Sequence, residues 1–547
     1  MARIVIDPVT RIEGHLRLET EVTGGKVSSA WSTSPLFRGI EPILKDRDPL
    51  DAWMITQRLC GVCTYVHGVT SIRSVENSLG ITVPTNARVI RNLLMGAQFI
   101  HDHIVNFYQL HLLDWVDVVS ALSADPAAAV TVDRQINSSR TRDVAYFTAV
   151  KQKLGTFAGS GQLGPFKNGY WGHPAYILTP EENLVFMANY LEALKAQMQV
   201  AHMHAIYGGK NPHPQTMIVG GVTLNRDLTA TRISEFKSHV TAAQSFVTNY
   251  YLPDSTYLLS RYKEYAHIGA ADNLMAFGEF PQSSSEPSSL FFPRGIILNQ
   301  ATSNVLAVDV NNITEHITHS WYSGNSSAKP SQGETVPSYS TLNTDGQYSW
   351  IKAPRYQGQP MEVGPLARIM VNYGKGQSAT VQQVNAFLKK LGLPLSAMYS
   401  TLGRTAARAI ETKVIADAMV TWSGQVTASS QSTNSMPNRK AFTMISSGSG
   451  IGLNEAPRGA LGHWVNYSGQ KITNYQMVVP STWNFGPRDS SDLPGPVEQA
   501  LVGVPVVDQE RPVELLRVIH SFNPCIACAV HVFDPVTKTS HEAKVRF

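Results

Sequence analysis

Charge is scarce in this chain: Asp, Glu, Lys and Arg make up 16% of its 547 residues, against roughly 25% in an average globular protein. The 45 basic and 41 acidic residues leave a formal net charge of +4. They do not gather in runs, which excludes a nucleic-acid-binding surface of the usual basic kind. No stretch approaches the roughly 18 consecutive apolar residues that a membrane-spanning helix needs. The opening Met1-Ala-Arg-Ile-Val-Ile-Asp7 lacks the charged-then-apolar plan of a secretory leader, so the chain is expected to carry no export signal of its own. Cysteine is scarcer still, with four in all, too few to staple a chain of this length with disulfides. Core material is abundant, at 43% apolar and 9% aromatic, which excludes a disordered or coiled-coil protein. Length alone, well beyond the roughly 250–300 residues at which single cores stop growing, points to about three or four domains.

The cysteines form two Cys-x-x-Cys pairs, Cys60/Cys63 and Cys525/Cys528, with none left over. Two such pairs are what a tetrathiolate metal site needs, because each short loop aims two sulfurs at one ion. A redox dithiol and inert buried thiols are the alternatives. More than 460 residues separate the pairs, whereas zinc ribbons space theirs by about 15–20. A shared metal therefore binds only once nearly the whole chain has folded, at the centre of a large domain. That convergence of both ends argues for one large domain in place of several.

Residues 2–34 read as strands: His15-Leu-Arg-Leu-Glu-Thr-Glu-Val22 alternates, Gly24-Gly25 turns, and 26–31 returns. Helical periods follow over 88–122, 229–250, 361–373, 379–391 and 403–421. Thr179-Pro-Glu-Glu182 opens a further helix to about Tyr207, as a capping box with proline at the first position. Strands are expected near 440–447 and 470–479, and a short helix over 512–520 leads into the second cysteine pair. Two stretches, 281–346 and 424–439, rich in small polar residues, read as surface excursions. The expected fold class is α+β: one large, mainly helical domain with a long-helix bundle core and small β-sheets from the N- and C-terminal regions.

The cysteine pairs sit in Arg58-Leu-Cys-Gly-Val-Cys-Thr-Tyr-Val-His67 and Phe522-Asn-Pro-Cys-Ile-Ala-Cys-Ala-Val-His531. Other segments are Asp7-Pro-Val-Thr-Arg-Ile-Glu-Gly-His15, Leu36-Phe-Arg-Gly-Ile-Glu41, His101-Asp-His103, Glu455-Ala-Pro-Arg-Gly459 and Val479-Pro-Ser-Thr-Trp483. In this order around the cysteines, the set resembles the signatures of the large, catalytic subunit of nickel–iron hydrogenases of the uptake or respiratory type. The quinone-binding subunit of respiratory complex I is similar in fold but lacks the cysteines.

The resemblance implies a nickel held by four thiolates, two of which bridge to an iron carrying CO and cyanide. Cys60 and Cys525 would be terminal on nickel, and Cys63 and Cys528 bridging; soft thiolates suit such metals. The excess negative charge calls for surrounding donors, and the positions that match the family are Arg458, His67, Pro480 and Ser481. Glu13 matches the carboxylate that receives the proton by way of Cys525 when H2 splits heterolytically. Arg458 would lie over the open face of the metals, either polarising H2 or acting as base, with Asp102 as its paired carboxylate. A hydrated magnesium is implied at Glu41, the main-chain carbonyl of Met477 and His531. On residue type alone, Glu13 reads as a strand-end carboxylate, Arg458 as a surface group or phosphate clamp, and Asp102 as a buried carboxylate bound to backbone. His101, His103, His111, His202, His204 and His213 read as hydrogen-bonded core or interface histidines.

Two features depart from a plain family chain. Asn523 stands where the family usually has Asp, removing a charge beside Arg458 and altering its expected pairing. Residues 532–547 continue past His531, like the extension that a dedicated protease removes after nickel insertion, which leaves 1–531 as the mature domain. With every cysteine committed, none remains for an iron–sulfur cluster. Electrons therefore need a small subunit carrying clusters. Nickel-insertion proteins and, at the membrane, a cytochrome are further expected partners. The expected location is the periplasm, membrane-associated through partners and reached by co-export with the small subunit, with the cytoplasm as the alternative. Two other functions fit the same residues: an H2 sensor, separated by turnover and partner, and a structural zinc protein, separated by elemental analysis.

Overall fold

A computed structural model describes residues 2–161, 164, 166, 169–286, 288–429 and 437–529. The N-terminal alternation folds as an antiparallel sheet of Ala2–Ile6, Arg17–Thr23 and Lys26–Thr33. Its inward set, Leu18, Val22, Val27 and Ala30, shares one apolar cluster with Leu515, Leu516, Ile519 and Phe522 of the C-terminal helix Val513–Phe522. The two ends of the chain are thus held together by a common core before any metal is considered.

Four long helices make the centre: Thr85–Ile104, Pro180–Gly208, Ala230–Phe246 and Thr401–Ser423. Each packs on two of the others, which closes a ring. The expected apolar stripe of the first, Ile90, Leu93, Leu94, Ala97, Ile100 and Ile104, is buried throughout. Thr179 and Glu182 form the reciprocal box that starts the second: Thr179 Oγ1 accepts from Glu182 N at 3.2 Å, and Glu182 Oε2 accepts from Thr179 N at 2.7 Å. The remaining expected helices appear as Pro365–Gly374, Ser378–Leu391 and Val513–Phe522. The architecture is mixed α+β.

Three expectations need correction. The helix read over 88–122 ends its regular turns at Ile104. Wider π-type turns follow over Val105–His111 and a tight turn over Leu112–Asp114, bringing Asp114 against Arg11 (2.5 Å) and His520 (2.6 Å). No strand occupies 440–447; the sheet begins at Gly448 and runs Gly448–Ala456, Gly459–Ser468, Lys471–Val478 as a meander. It packs on the helix Val66–Leu79, and a Cβ on Gly450 or Gly452 would lie 2.0 Å from Ser74 O or 2.1 Å from Thr70 O. These glycines serve close approach rather than a turn. The stretch 281–346 is more than an excursion. It carries short strands, including Gly295–Ile297 and Ile313–His316, and buries Ile313, Glu315 and Trp321. In 424–439, Asn438 is buried and donates to Leu224 O at 2.6 Å, while 430–436 lies outside the described residues. Among the described residues no helix is long and apolar enough to cross a membrane.

Candidate metal centre

Both cysteine loops are set by main-chain pairing. Glu13 N donates to Pro524 O (3.3 Å) and Ile526 N donates to Glu13 O (2.9 Å), so Glu13 and Cys525 form a parallel bridge between the chain's two ends. Gly14, at φ 81°, makes this possible: a Cβ there would sit 2.7 Å from Ala527 N. On the other side, Cys60 leaves the short turn Gln57–Leu59 in extended conformation. Its sulfur then accepts from the amides of Val62 (3.2 Å) and Cys63 (3.3 Å).

The four sulfurs converge. Sγ–Sγ distances are 3.5 Å for Cys60–Cys525, 3.1 Å for Cys63–Cys528 and 2.8 Å for Cys525–Cys528. All four atoms lie within 4.8 Å of one another, and all four residues are buried and free of disulfides. Thiolates around one metal at ~2.3 Å sit ~3.7 Å apart, so the donor set has the size and softness for a thiolate-bound metal. Electrostatics agree: hydrogen bonds from the other thiols, Cys525 first, together with Arg458 hold the Cys60 thiol well below its usual range. Burial pushes Cys63, Cys525 and Cys528 up. Stacking four sulfurs without an ion is costly, and a cation at their centre removes that cost.

Around the sulfurs stand the other expected groups. Glu13 is half-buried; its Oε2 accepts from Cys525 Sγ (3.2 Å) and from Ala527 N (3.0 Å). Burial first, then the Cys60 charge, raise its carboxyl above the ordinary range. Ser481 Oγ accepts from Cys525 N at 3.1 Å, and Pro480 opens the buried turn Pro480–Phe485 that presents it. His67 bonds through Nδ1 to His463 Nε2 (3.2 Å), and His463 Nδ1 in turn meets Tyr475 OH at 2.7 Å. Burial lowers the His67 pKa to about 4.

Arg458 occupies the two-residue turn between Ala456 and Gly459. Its Nη1 donates to Asp102 Oδ2 (2.6 Å), Nε to Asn523 O (2.9 Å) and Nη2 to Asn523 Oδ1 (3.0 Å), while Asn523 Nδ2 donates to Asp102 Oδ1 (2.8 Å). The Asn523 amide thus bridges cation and anion, in a left-handed conformation (φ 57°) that asparagine tolerates well. Sequence reading missed what holds this triangle. Arg368, fully buried, donates to Glu411 (2.5 and 2.8 Å), Glu455 (2.6 Å) and the carbonyls of Ala456 (2.9 Å) and Pro457 (2.7 Å). Glu411 also meets His103 at 2.7 Å, one residue from Asp102. One buried network fixes both Arg458 and its carboxylate. The only sequence signal was a charged residue inside an apolar helix.

At the expected magnesium position, Glu41 Oε1 accepts from Met477 N at 2.8 Å, and Thr335 Oγ1 donates to Glu41 Oε2. Gln476 Oε1 accepts from Lys352 Nζ at 3.0 Å, and Lys352 lies 3.7 Å from Glu315. Glu315 and Lys352, both buried, were not foreseen. Burial pushes the Glu315 pKa up to about 7. Oxygen donors gather here, as a hard ion requires, while His531 lies outside the described residues.

The histidines divide. His101 meets Gln197 Oε1 (2.9 Å), His204 donates to Leu94 O (3.1 Å), and His202 packs edge-on to His239. His213 is half-buried, its main-chain amide donating to Thr64. His111 departs from expectation: buried between Trp115 and His520, it has no hydrogen-bond partner on either ring nitrogen among the described residues. Its burial lowers the pKa to about 3.

A buried cluster of free thiols, closed by both chain ends and flanked by a carboxylate and a clamped guanidinium, defines a metalloenzyme with a thiolate-held centre. Comparison specifies which. The family model described as nickel-dependent hydrogenase matches residues 38–531, and one described as HoxL-like matches 3–30. The chain is 45% identical to the uptake hydrogenase large subunit of Bradyrhizobium diazoefficiens, covering 100% of this chain and 97% of that one. It is 42% identical to the hydrogenase-2 large chain of Escherichia coli K12, with 97% of each covered. Among solved structures, the [NiFeSe] hydrogenase of Dm. baculatum superposes with a TM-score of 0.79 at 34% identity, over 97% of this chain and 100% of that one. The chain belongs to the nickel-dependent hydrogenase family. It is the catalytic large subunit of a nickel–iron hydrogenase, with H2 as substrate and a small subunit as partner.

Proposed function

We propose that Glu13 and Cys525 carry the proton released in H2 cleavage, beside Arg458 as a fixed cation, and the observation that supports this most directly is the 3.2 Å approach of Glu13 Oε2 to Cys525 Sγ. Cys60, Cys63, Cys525 and Cys528 would hold the nickel–iron centre, whose iron would carry CO and cyanide. When bound, that centre supplies the electron-pair acceptor that lets H2 split. Cys525 and Glu13 lie within hydrogen-bond reach, so a proton on the sulfur passes to the carboxylate without solvent. Arg458 has three of its nitrogens engaged by Asp102 and Asn523, and a guanidinium does not deprotonate in proteins. It therefore serves as a fixed cation that orients and polarises H2 rather than as a base, with Asp102 holding it in place. Ser481, on Pro480–Phe485, and His67 shape the loops around the centre.

Glu41 and the Met477 carbonyl, with His531, hold magnesium near the chain's end. Maturation removes 532–547 after nickel-insertion proteins have acted. Co-export with the small subunit to the periplasm, and association with a membrane cytochrome, suit a relative named as an uptake hydrogenase. Infrared spectroscopy with metal analysis tests the reading. CO and cyanide bands with one nickel per large subunit, and iron beyond that of the small subunit's clusters, are expected; zinc alone, without those bands, overturns it.

A further inference from the structure

A cleft of about 610 Å³ lies towards the far end of the Val66–Leu79 helix, roughly 13 Å along its axis from His67. Its walls carry Arg73, Arg88, Arg91 and Arg294 against a single carboxylate, Glu76. Two of the cations are already paired. Arg91 binds Glu76 through both nitrogens (2.8 and 2.9 Å), and Arg73 binds Glu279 (2.6 and 2.8 Å). Arg88 and Arg294 have no carboxylate at ion-pair distance among the described residues. They are anchored instead by main-chain carbonyls of one short segment: Arg88 Nη1 donates to Pro281 O (2.6 Å) and Arg294 Nε to Phe277 O (2.8 Å). Arg88 Nε is buried with no hydrogen-bond partner among the described residues. Both are half-buried, and burial acts against their charge, offset at Arg294 in part by the more distant Glu455 and Glu279; a cation drawn partly out of water without a direct ion pair is stabilised by an added anion.

We propose that this cleft is a binding site for an organic phosphate, its head between Arg88 and Arg294 and its body against Val83, Ile451 and Leu453. Two unspent guanidiniums ask for a dianion, which a single carboxylate is not. A phosphate monoester carries about −1.5 to −2 near neutral pH and offers three acceptor oxygens, matching two planar forks. The apolar wall excludes inorganic phosphate as the preferred occupant, and the volume falls within the roughly 300–1,000 Å³ of small-ligand sites. No residue of this cleft belongs to the metal centre, so the inference stands apart from the reading of that site.

The purified heterodimer is titrated with inorganic phosphate and with AMP by calorimetry, and sedimented with phosphatidic acid, phosphatidylglycerol or phosphatidylcholine vesicles. Saturable binding of AMP identifies a soluble phosphate monoester; binding to phosphatidic acid but not to phosphatidylglycerol or phosphatidylcholine vesicles identifies a lipid monoester headgroup. Either supports the site, provided that R88Q/R294Q weakens it at least tenfold, about 1.4 kcal/mol, with H2 oxidation unchanged as the check on folding. Arg294→Lys keeps the charge without the fork and is expected to lose affinity by an intermediate factor. The proposal is overturned if no probe binds below about 1 mM, if inorganic phosphate binds as tightly as the organic probes, or if R88Q/R294Q binds like the parent.

Discussion

Glu13 and Cys525, 512 positions apart, are joined by an isolated parallel bridge with carboxylate and sulfur 3.2 Å from each other. The side-chain contact is a consequence of the backbone one. Once Ile526 N donates to Glu13 O, the carboxylate has little choice but to lie over the second cysteine loop, where Ala527 N gives it a second donor. The proton relay is thus built by the same hydrogen bonds that close the chain.

Replacing Glu13 by glutamine keeps the shape and the contact with Ala527 but removes the proton-accepting group. H2 oxidation is expected to fall by about 10²-fold or more while nickel content stays at the parent's level. Metal analysis beside a turnover assay checks this; undiminished turnover in E13Q removes Glu13 from the relay.

Gly14→Ala attacks the same pairing through the backbone. The residue must keep φ 81° with its new methyl 2.7 Å from Ala527 N, and the left-handed conformation alone costs about 1–2 kcal/mol. The second cysteine loop should be displaced from the first. A chain with most of its nickel lost and its thiols reactive to alkylating reagents is expected; full nickel occupancy contradicts the pairing.

The site was more legible in the sequence than the sheet that carries it. Paired cysteines at both ends require convergence whatever lies between, and the capping box at Thr179 states its helix start in four residues. Gly448, Gly450 and Gly452 could not announce a strand, because their role is to admit the Val66–Leu79 helix, a contact absent from local sequence. Likewise the period through Ile104 gave no warning of the wider turns after it, which answer to Arg11 and His520 far away in the chain. Arg368 and Lys352 escaped notice for a related reason: a buried cation looks like any other until its carboxylates are located.

Stability should carry a pH signature from Glu498. Burial pushes its pKa up to about 7 from an ordinary 4.5, despite donors from Ser32 N, Tyr348 OH and Gly495 N. A raised carboxyl favours the folded state fully below the unfolded value and loses that contribution as pH rises through the folded one. Its part of the stability therefore declines between pH 4.5 and 7, by an amount on the order of 3 kcal/mol. In Glu498→Gln that part of the slope should vanish from Tm measured across pH 5 to 8; an unchanged slope assigns it elsewhere.

Processing predicts a defined mass. Active enzyme isolated with its small subunit should end at His531, and chains retaining 532–547 should lack nickel. Intact-mass spectrometry on active and inactive fractions decides; a full-length chain with full activity overturns the expectation.

Asn523→Asp supplies the charge that the family resemblance leads one to expect beside Arg458. The new carboxylate keeps an oxygen towards Arg458 Nη2 but replaces the Nδ2 donor, now 2.8 Å from Asp102 Oδ1, with a second oxygen. Two carboxyl groups at that distance retain one proton between them until the pH is high enough to remove it. While the proton stays, the triangle of Arg458, Asp102 and residue 523 keeps its geometry; once it leaves, repulsion pulls Asp102 and the substituted group apart and loosens the guanidinium. N523D should therefore match the parent at low pH and fall away on the alkaline side, by about tenfold for each 1.4 kcal/mol of lost positioning. Asn523→Ala, which removes donor and acceptor together, should be impaired at every pH with no new limb. Profiles of kcat/KM against pH for the three proteins separate the cases, and an N523D profile parallel to the parent's means that the amide's donor to Asp102 does not position Arg458.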